Sequence, residues 1–177
     1  MVMAGMLLGC LSLYGQQAKA GEYDVKAVYL YSFGKFVRWP AETLAKSDSF
    51  PVCVLGHDPF GPALDTALAG SAVDGKGAEA KRISKPQEAL DCRIVFVSSS
   101  ETNRLKDILA ALDKANILTV SDIPQFSKLG GMIQFVLDGN KIRFEVNLTA
   151  AENAGLTLSS ELLKVATAVR KTPESGG

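Results

Sequence analysis

The chain has 177 residues, and its 19 Lys and Arg side chains balance 19 Asp and Glu side chains. A formal net charge of zero excludes a protein that coats nucleic acid or an anionic membrane, because both need a basic excess. With 47% hydrophobic residues, the chain is long enough and apolar enough for one domain with its own core. We therefore expect a single domain over residues 21–170 and a disordered polar tail over residues 171–177.

The first twenty residues predict an export signal. Residues 1–15 are almost wholly apolar, and Ala18-Lys19-Ala20 has the small-x-small pattern that signal peptidase accepts. We expect cleavage after Ala20. Two alternatives stay open. The apolar run could be a retained anchor, although it is shorter than the ~20 residues of a bilayer span, and Leu7-Leu8-Gly9-Cys10 is similar to the lipid-attachment box of a lipoprotein.

The rest of the chain alternates between helical and strand-like segments, which is typical of an α/β protein. Helices are predicted over Glu22–Arg38, over Phe60–Leu68 with Asp58 as its cap, from Ser98 to Asp113, from Asp122 to Gly130, from Thr149, and over Ser159–Arg170. Strands are predicted over Pro51–Leu55, Ala78–Ile83, Cys92–Val97, Ile117–Val120, Met132–Leu137 and Lys141–Leu148. This order predicts a three-layer α/β sandwich whose mostly parallel sheet ends in an antiparallel C-terminal hairpin.

Two of these elements have surfaces that a partner could use. The second hairpin strand places Arg143 and Glu145 on its polar side, so one of its faces is buried and the other is wet. We place this strand toward a sheet edge, where partners add, but the two charged residues could also be simply solvated. The aromatic helix Glu22–Arg38 is apolar on nearly all sides, so it is either buried within the domain or part of a dimer or partner surface.

The segment PVCVLGHDPFG, residues 51–61, contains Cys53, His57 and Asp58, the residue types of a cysteine hydrolase. The predicted export favours a disulfide over a catalytic cysteine. Without the leader, Cys53 and Cys92 are an even pair in an oxidising compartment, and neighbouring strands would bring them within disulfide reach. We predict this disulfide, with two buried free thiols as the alternative. Because Cys53 lies inside a strand, we expect His57 and Asp58 to form a turn, and a chain with one histidine has few ligands for zinc.

A series of motifs then becomes informative in combination. The motifs are Lys26-Ala-x-Tyr29-Leu-Tyr-x-Phe33-x-Lys35-Phe-Val-x-Trp39-Pro40, Cys53-Val-Leu-Gly-x-Asp58-Pro-Phe-Gly61, Leu118-Thr-Val-Ser-Asp122, Gly130-Gly-Met132 and Arg143-Phe-Glu-Val-Asn147-Leu. Their order resembles the YfiR family of bacterial periplasmic proteins, from Lys26 to about Val165. The resemblance implies a dimeric α/β sandwich and regulation rather than catalysis, with no cofactor and no nucleic acid.

The resemblance also implies partners. In this family the periplasmic protein binds the sensor domain of an inner-membrane diguanylate cyclase and represses the enzyme, which lowers cyclic-di-GMP and biofilm formation. An OmpA-like outer-membrane lipoprotein can sequester the repressor and release the cyclase. The expected protein is therefore a homodimeric periplasmic repressor that acts by protein contact.

The same resemblance also implies roles for single residues. The two cysteines match a cysteine pair of the family, Ile133 and Glu145 match positions implicated in partner contact, and Arg143 of the same motif is added to them. A second cysteine pair of the family, which flanks the Gly-Gly turn, is replaced by Ser127 and Gln134. We therefore expect a less rigid hairpin without redox control at this point.

A second function stays open. A small-molecule sensor would use the crevice at the C-terminal strand ends, where His57 and Asp58 meet Ser98 and Ser99, and where helix N-termini could receive an anion. An exported enzyme ranks third, because no nucleophile or acid/base constellation stands out.

Overall fold

The computed structural model describes residues 11–171, with side chains described from residue 21. The helices are α1 (Leu11–Phe36), α2 (Ala41–Leu44), α3 (Pro62–Leu68), α4 (Leu105–Ala111), α5 (Leu148–Asn153) and α6 (Ser160–Val165), with 3-10 helices over Pro86–Asp91 and Ser99–Arg104. The strands are β1 (Val37–Arg38), β2 (Ser49–Leu55), β3 (Ala72–Val73), β4 (Lys76–Ile83), β5 (Ile94–Val97), β6 (Leu118–Ser121), β7 (Ile133–Asp138), β8 (Lys141–Asn147), β9 (Thr157–Leu158) and β10 (Ala168–Arg170).

The strands form a main sheet in the order β10-β8-β7-β6-β5-β2-β4-β3 and a small antiparallel pair of β1 with β9. Neighbours from β4 to β7 are parallel, and the β7–β8 hairpin is antiparallel. This arrangement confirms the predicted α/β class and the antiparallel hairpin. Strand β8 is not at the edge, because β10 pairs with it in parallel and takes that position.

Alternate residues of the central strands point into two separate cores, as the two-residue period of a strand requires. Val52 and Val54 of β2 belong to the cluster beneath α1 and α3, whereas Cys53 and Leu55 belong to the cluster beneath α4. Aromatic rings fill the first cluster, and Phe33 of α1 meets the Phe144 ring of β8 edge-on at 5.2 Å between centroids. The sheet is thus the middle layer of the sandwich.

The first helix ends earlier than predicted. Helix α1 stops at Phe36, because the next two residues, Val37 and Arg38, pair with Leu158 and Thr157 to form the small sheet. Its backbone is helical across the predicted cleavage point after Ala20. Residues 1–10 of the predicted signal and residues 172–177 of the predicted tail lie outside the described residues. Between residues 11 and 171, no helix combines the length and the hydrophobicity that a membrane span needs.

Of two predicted caps, one closes a turn instead and the other caps a 3-10 helix. Helix α3 begins at Pro62, not at Phe60, and the Asp58 carboxylate accepts a hydrogen bond from the Phe60 amide at 2.8 Å, so it closes a turn. Ser98 does act as an N-cap, accepting from the Ser100 amide at 3.4 Å, but it begins a 3-10 helix that turns into α4.

Three later expectations are corrected. The segment after Asp122 forms turns rather than a helix. Helix α5 is capped by Asn147, whose side-chain oxygen accepts from the Ala150 amide at 3.0 Å, and does not begin with a Thr149 cap. The last predicted helix stops at Val165, because Ala166 is extended and leads the chain into β10.

Candidate functional site

The two cysteines form the predicted disulfide. Cys53 and Cys92 are bonded, with a Cα–Cα distance of 6.0 Å, and their exposed fractions are 0% and 1%. Cys92 lies just before β5 rather than within it, and the Arg93 amide already donates to Pro51 of β2. Because the sulfur of Cys53 is bonded and buried, the residue cannot serve as a nucleophile. The cysteine-hydrolase interpretation is therefore excluded.

The predicted crevice residues come together at the C-terminal ends of β2 and β5, which are parallel neighbours. His57 is exposed, and its backbone amide donates to Ser100 Oγ at 3.0 Å. Asp58 accepts from Arg82 Nε at 2.9 Å. Ser98 is buried and Ser99 is exposed. The His57 amide thus joins the loop after β2 to the segment after β5, and Asp58 joins the same loop to β4.

Gly56 explains why the centre of this crevice is closed. Its φ of +94° favours glycine, and a Cβ atom there would lie 2.5 Å from Ser100 Oγ and 2.7 Å from Glu101 Oε1. The loops after β2 and β5 are therefore in direct contact. An open groove of about 660 Å³ lies beside them between α1 and α3, with Tyr23, Phe60 and Asp58 in its lining.

A buried ionic cluster ties α1 to the end of β6. The Lys26 ammonium is 3% exposed, pairs with Asp122 Oδ2 at 2.7 Å and also contacts the Glu22 carboxylate. The Tyr23 hydroxyl donates to the same Asp122 oxygen at 2.7 Å. Burial, and next the hydrogen bond to Asp122, raise the pKa of Tyr23 above its ordinary value. The tyrosine hydroxyl thus stays protonated and keeps donating.

The polar side of the hairpin is a half-exposed sheet surface. We call it the open hairpin face, and its residues are Val136, Arg143, Glu145, Ala168 and Arg170, all partly accessible. The register places Arg143 opposite Val136, and Glu145 opposite Ala168. The other side of the same strands packs beneath α1. The strict alternation of β8 therefore produces the buried face and the wet face that it predicts.

Ser127 attaches the preceding loop to this face. Its amide and its hydroxyl lie 3.0 and 3.2 Å from Gln134 Oε1, and the hydroxyl also lies 3.1 Å from Glu145 Oε2. Asn147 Nδ2 donates to the Ser127 carbonyl at 2.9 Å. Hydrogen bonds thus join Ser127 and Gln134, the two residues that stand where the family has its second cysteine pair.

Ile133 lies in a different environment from the other expected partner contacts. Its side chain is 0% exposed and belongs to the core beneath α1. In this conformation it supports the hairpin and cannot itself touch a partner. Arg143 and Glu145 do lie on the surface, so two of the three expected contacts are accessible.

The comparison with known families decides the assignment. A family described as DUF4154, YfiR/HmsC-like, matches residues 23–167. The chain belongs to the YfiR/HmsC-like family. The match confirms the resemblance seen in the motifs. YfiR-like proteins are periplasmic regulators in cyclic-di-GMP signalling, which agrees with the buried disulfide found here.

Two solved structures have a similar fold. One is the crystal structure of a conserved domain protein from Vibrio cholerae O1 biovar eltor, with a TM-score of 0.51 and 13% identity over 68% of this chain and 54% of that chain. The other is the ABC domain in complex with L-Trp from Streptococcus pneumonia, with a TM-score of 0.51 and 11% identity over 68% of this chain and 55% of that chain. The YfiR/HmsC-like chain spans about half of each, and the likeness concerns the fold alone.

Proposed function

We propose that this YfiR/HmsC-like protein represses an inner-membrane diguanylate cyclase by binding the periplasmic sensor domain of that enzyme. Repression lowers cyclic-di-GMP and biofilm formation. The observation that carries this proposal is the family match over residues 23–167. The buried Cys53–Cys92 disulfide supports export, because such bonds persist in oxidising compartments.

The protein acts by contact and not by catalysis in this proposal. The sulfur that a cysteine hydrolase would use is held in the disulfide, and the His57 amide and the Asp58 carboxylate take part in loop contacts. The open hairpin face offers Arg143 and Glu145 to the sensor domain. An OmpA-like outer-membrane lipoprotein sequesters the repressor and so releases the cyclase.

A homodimer is the proposed assembly, and α1 offers a surface for it. Val25, Val28 and Phe36 are 45%, 57% and 41% exposed, although Leu30 and Phe33 of the same helix are fully buried. The helix is thus a core element that also leaves apolar side chains accessible, and these are the residues that we propose for the dimer contact. Light scattering of the purified protein measures the assembly state directly.

Calorimetric titration tests the proposed function. The mature chain, residues 21–177, is titrated with the purified periplasmic domain of a diguanylate cyclase encoded nearby in the genome. We expect saturable binding with one site per chain. A matched titration uses a periplasmic domain from a membrane protein that is not a cyclase, and no heat of binding is expected there. Equal heats from the two domains, or no binding to either, would contradict the proposal.

A second candidate function is a small-molecule sensor at the strand ends. One observation favours it. After β2 the chain passes to β4 on one side of that strand and then crosses to β5 on the other side, so the strand order reverses between β2 and β5. In α/β sheets, ligands bind at such a switch point. His57, Asp58, Ser98 and Ser99 surround that point. A domain of similar fold was solved with L-Trp. A rise in melting temperature with L-Trp, absent from a His57→Ala variant, would support this candidate.

A further inference from the structure

Arg143 lies near the middle of the open hairpin face without an acidic partner. Its Nη2 donates to the carbonyl of Val165 at 3.4 Å. Among the residues whose side chains the structure describes, no carboxylate forms an ion pair with it. Directly across the hairpin stands Val136, an apolar residue. The guanidinium therefore keeps most of its five donors available for another molecule.

The other charges of this face are already balanced. Glu145 Oε2 accepts from Arg170 Nη2 at 3.2 Å and lies 3.1 Å from the Ser127 hydroxyl, so its charge is neutralised within the chain. Asp138 and Lys141 stand opposite each other at the end of the hairpin. The charges of Asp138 and Lys141 cancel in the sum, and Glu145 is paired with Arg170, so Arg143 is the charge left over. The face is therefore locally positive although the whole chain has no net charge.

We propose that the open hairpin face receives an acidic segment of the sensor domain, with Arg143 as the anchor for one of its carboxylates. This inference rests on the proposed function and names the chemistry of the partner. A planar guanidinium binds a carboxylate in two parallel hydrogen bonds, so it selects both the charge and the orientation of the bound group. Val136, directly opposite Arg143, would help to exclude water when a partner docks, and arginines desolvated in this way are common among the residues that contribute most to binding. Glu145 positions Arg170 and does not contact the carboxylate.

Charge reversal at one residue tests this inference. The mature chain and its Arg143→Glu, Arg143→Lys and Arg38→Glu variants are titrated with the cyclase sensor domain. Arg38 is an exposed arginine on β1, away from the hairpin, and serves as the matched control. We expect Arg143→Glu to weaken binding by about tenfold or more, with Arg143→Lys intermediate and Arg38→Glu within about twofold of the wild type. Circular dichroism confirms that each variant is folded.

A charge swap then identifies the partner's carboxylate. Asp→Lys and Glu→Lys variants of the sensor domain are titrated with Arg143→Glu, and one of them is expected to restore binding. If Arg143→Glu binds as tightly as the wild type, the inference is overturned while the proposed function stands. If Arg143→Glu alters the assembly state instead, the face is a contact between copies and the inference is again overturned. If the wild type does not bind the sensor domain, the proposed function fails and the inference fails with it.

Discussion

Ser127 has a larger structural role than a small polar residue in a loop suggests. It is 0% exposed, and its hydroxyl lies within hydrogen-bond distance of both Gln134 and Glu145. Removal of a buried hydroxyl leaves its acceptors with fewer donors, and the desolvation of those groups is then uncompensated. The loop before the hairpin therefore depends on this side chain.

We expect Ser127→Ala to lower the free energy of unfolding by about 1–2 kcal/mol, because it removes this buried hydrogen bond. Urea denaturation followed by circular dichroism measures the change. Ser99→Ala is the control, since Ser99 is exposed, and a change of less than about 0.5 kcal/mol is expected there. Equal stability of the two variants would show that the hydroxyl does not hold the loop.

At the level of single residues, the sequence predicted the contacts that follow from residue type and from the cellular compartment. The pairing of Cys53 with Cys92 followed from export and from strand positions, and the structure confirms it. The ion pair of Lys26 with Asp122 was missed, because these residues are 96 positions apart and no local pattern connects them. Lys26, which stands among mostly apolar and aromatic residues, was the signal that could have indicated a buried partner.

Among the elements, the disulfide joins β2 to the residues just before β5. The two cysteines are 39 residues apart in the sequence, so their bond restricts the unfolded chain over a long loop. The loop contains α3, β3, β4 and one 3-10 helix. Loss of the disulfide would therefore affect β2, β4 and the entry to β5 most directly.

We expect the double variant Cys53→Ala, Cys92→Ala to lose about 4 kcal/mol of unfolding free energy, the amount that loop-closure entropy gives for this separation. Denaturation curves of the variant and of the oxidised wild type measure it. Wild-type protein reduced in denaturant provides a second comparison, and its stability should approach that of the variant. Identical midpoints for the oxidised and the cysteine-free protein would contradict the expectation.

An exposed ion pair connects α3 to β4 and makes the fold sensitive to acid. Arg82 Nη2 lies 2.6 Å from Asp65 Oδ2, and the hydrogen bond from Arg82 lowers the pKa of Asp65 below its ordinary value of 3.8. A carboxyl group whose pKa is lower in the folded state stabilises the fold above its unfolded pKa. That contribution is lost as the pH falls through the folded pKa, below 3.8.

Asp65→Asn should therefore lower stability at pH 7, by less than about 1 kcal/mol because the pair is exposed and screened. The difference from the wild type should shrink toward zero as the pH falls below 3.8 and through the lowered folded-state pKa of Asp65. Denaturation at a series of pH values checks this, with Asp24→Asn as a control at an exposed aspartate of α1. A constant difference across the series would mean that the charge of Asp65 is not what stabilises the contact.

Element types were predicted better than element ends. The β7–β8 hairpin was recognised because a two-residue period and turn residues are local signals. The residues of strand β10, Ala168–Arg170, were predicted as helix. They are extended because they pair with β8, more than twenty residues earlier in the chain, and no local pattern shows this pairing. Long-range pairing also explains why α1 is shorter than predicted, because its last predicted residues pair with β9.

For the whole molecule, the alternation of helical and strand-like segments along the chain was enough to predict a layered α/β fold. The open hairpin face could be predicted in part, since the polar side of β8 is visible in the sequence. The sequence could not predict that Arg143 has no acidic partner. This depends on the fold, which pairs the nearby Glu145 with Arg170. The partner lies outside the chain, and only its chemistry can be inferred from the charge that remains.

The most direct test of the account is the cyclic-di-GMP content of cells that lack this gene. Deletion should raise the nucleotide and biofilm formation, because the cyclase is then released. Exported wild-type protein should restore the low level, and the Arg143→Glu variant should restore it only weakly. An unchanged cyclic-di-GMP level in the deletion strain, measured by mass spectrometry while the cyclase is expressed, would contradict the account.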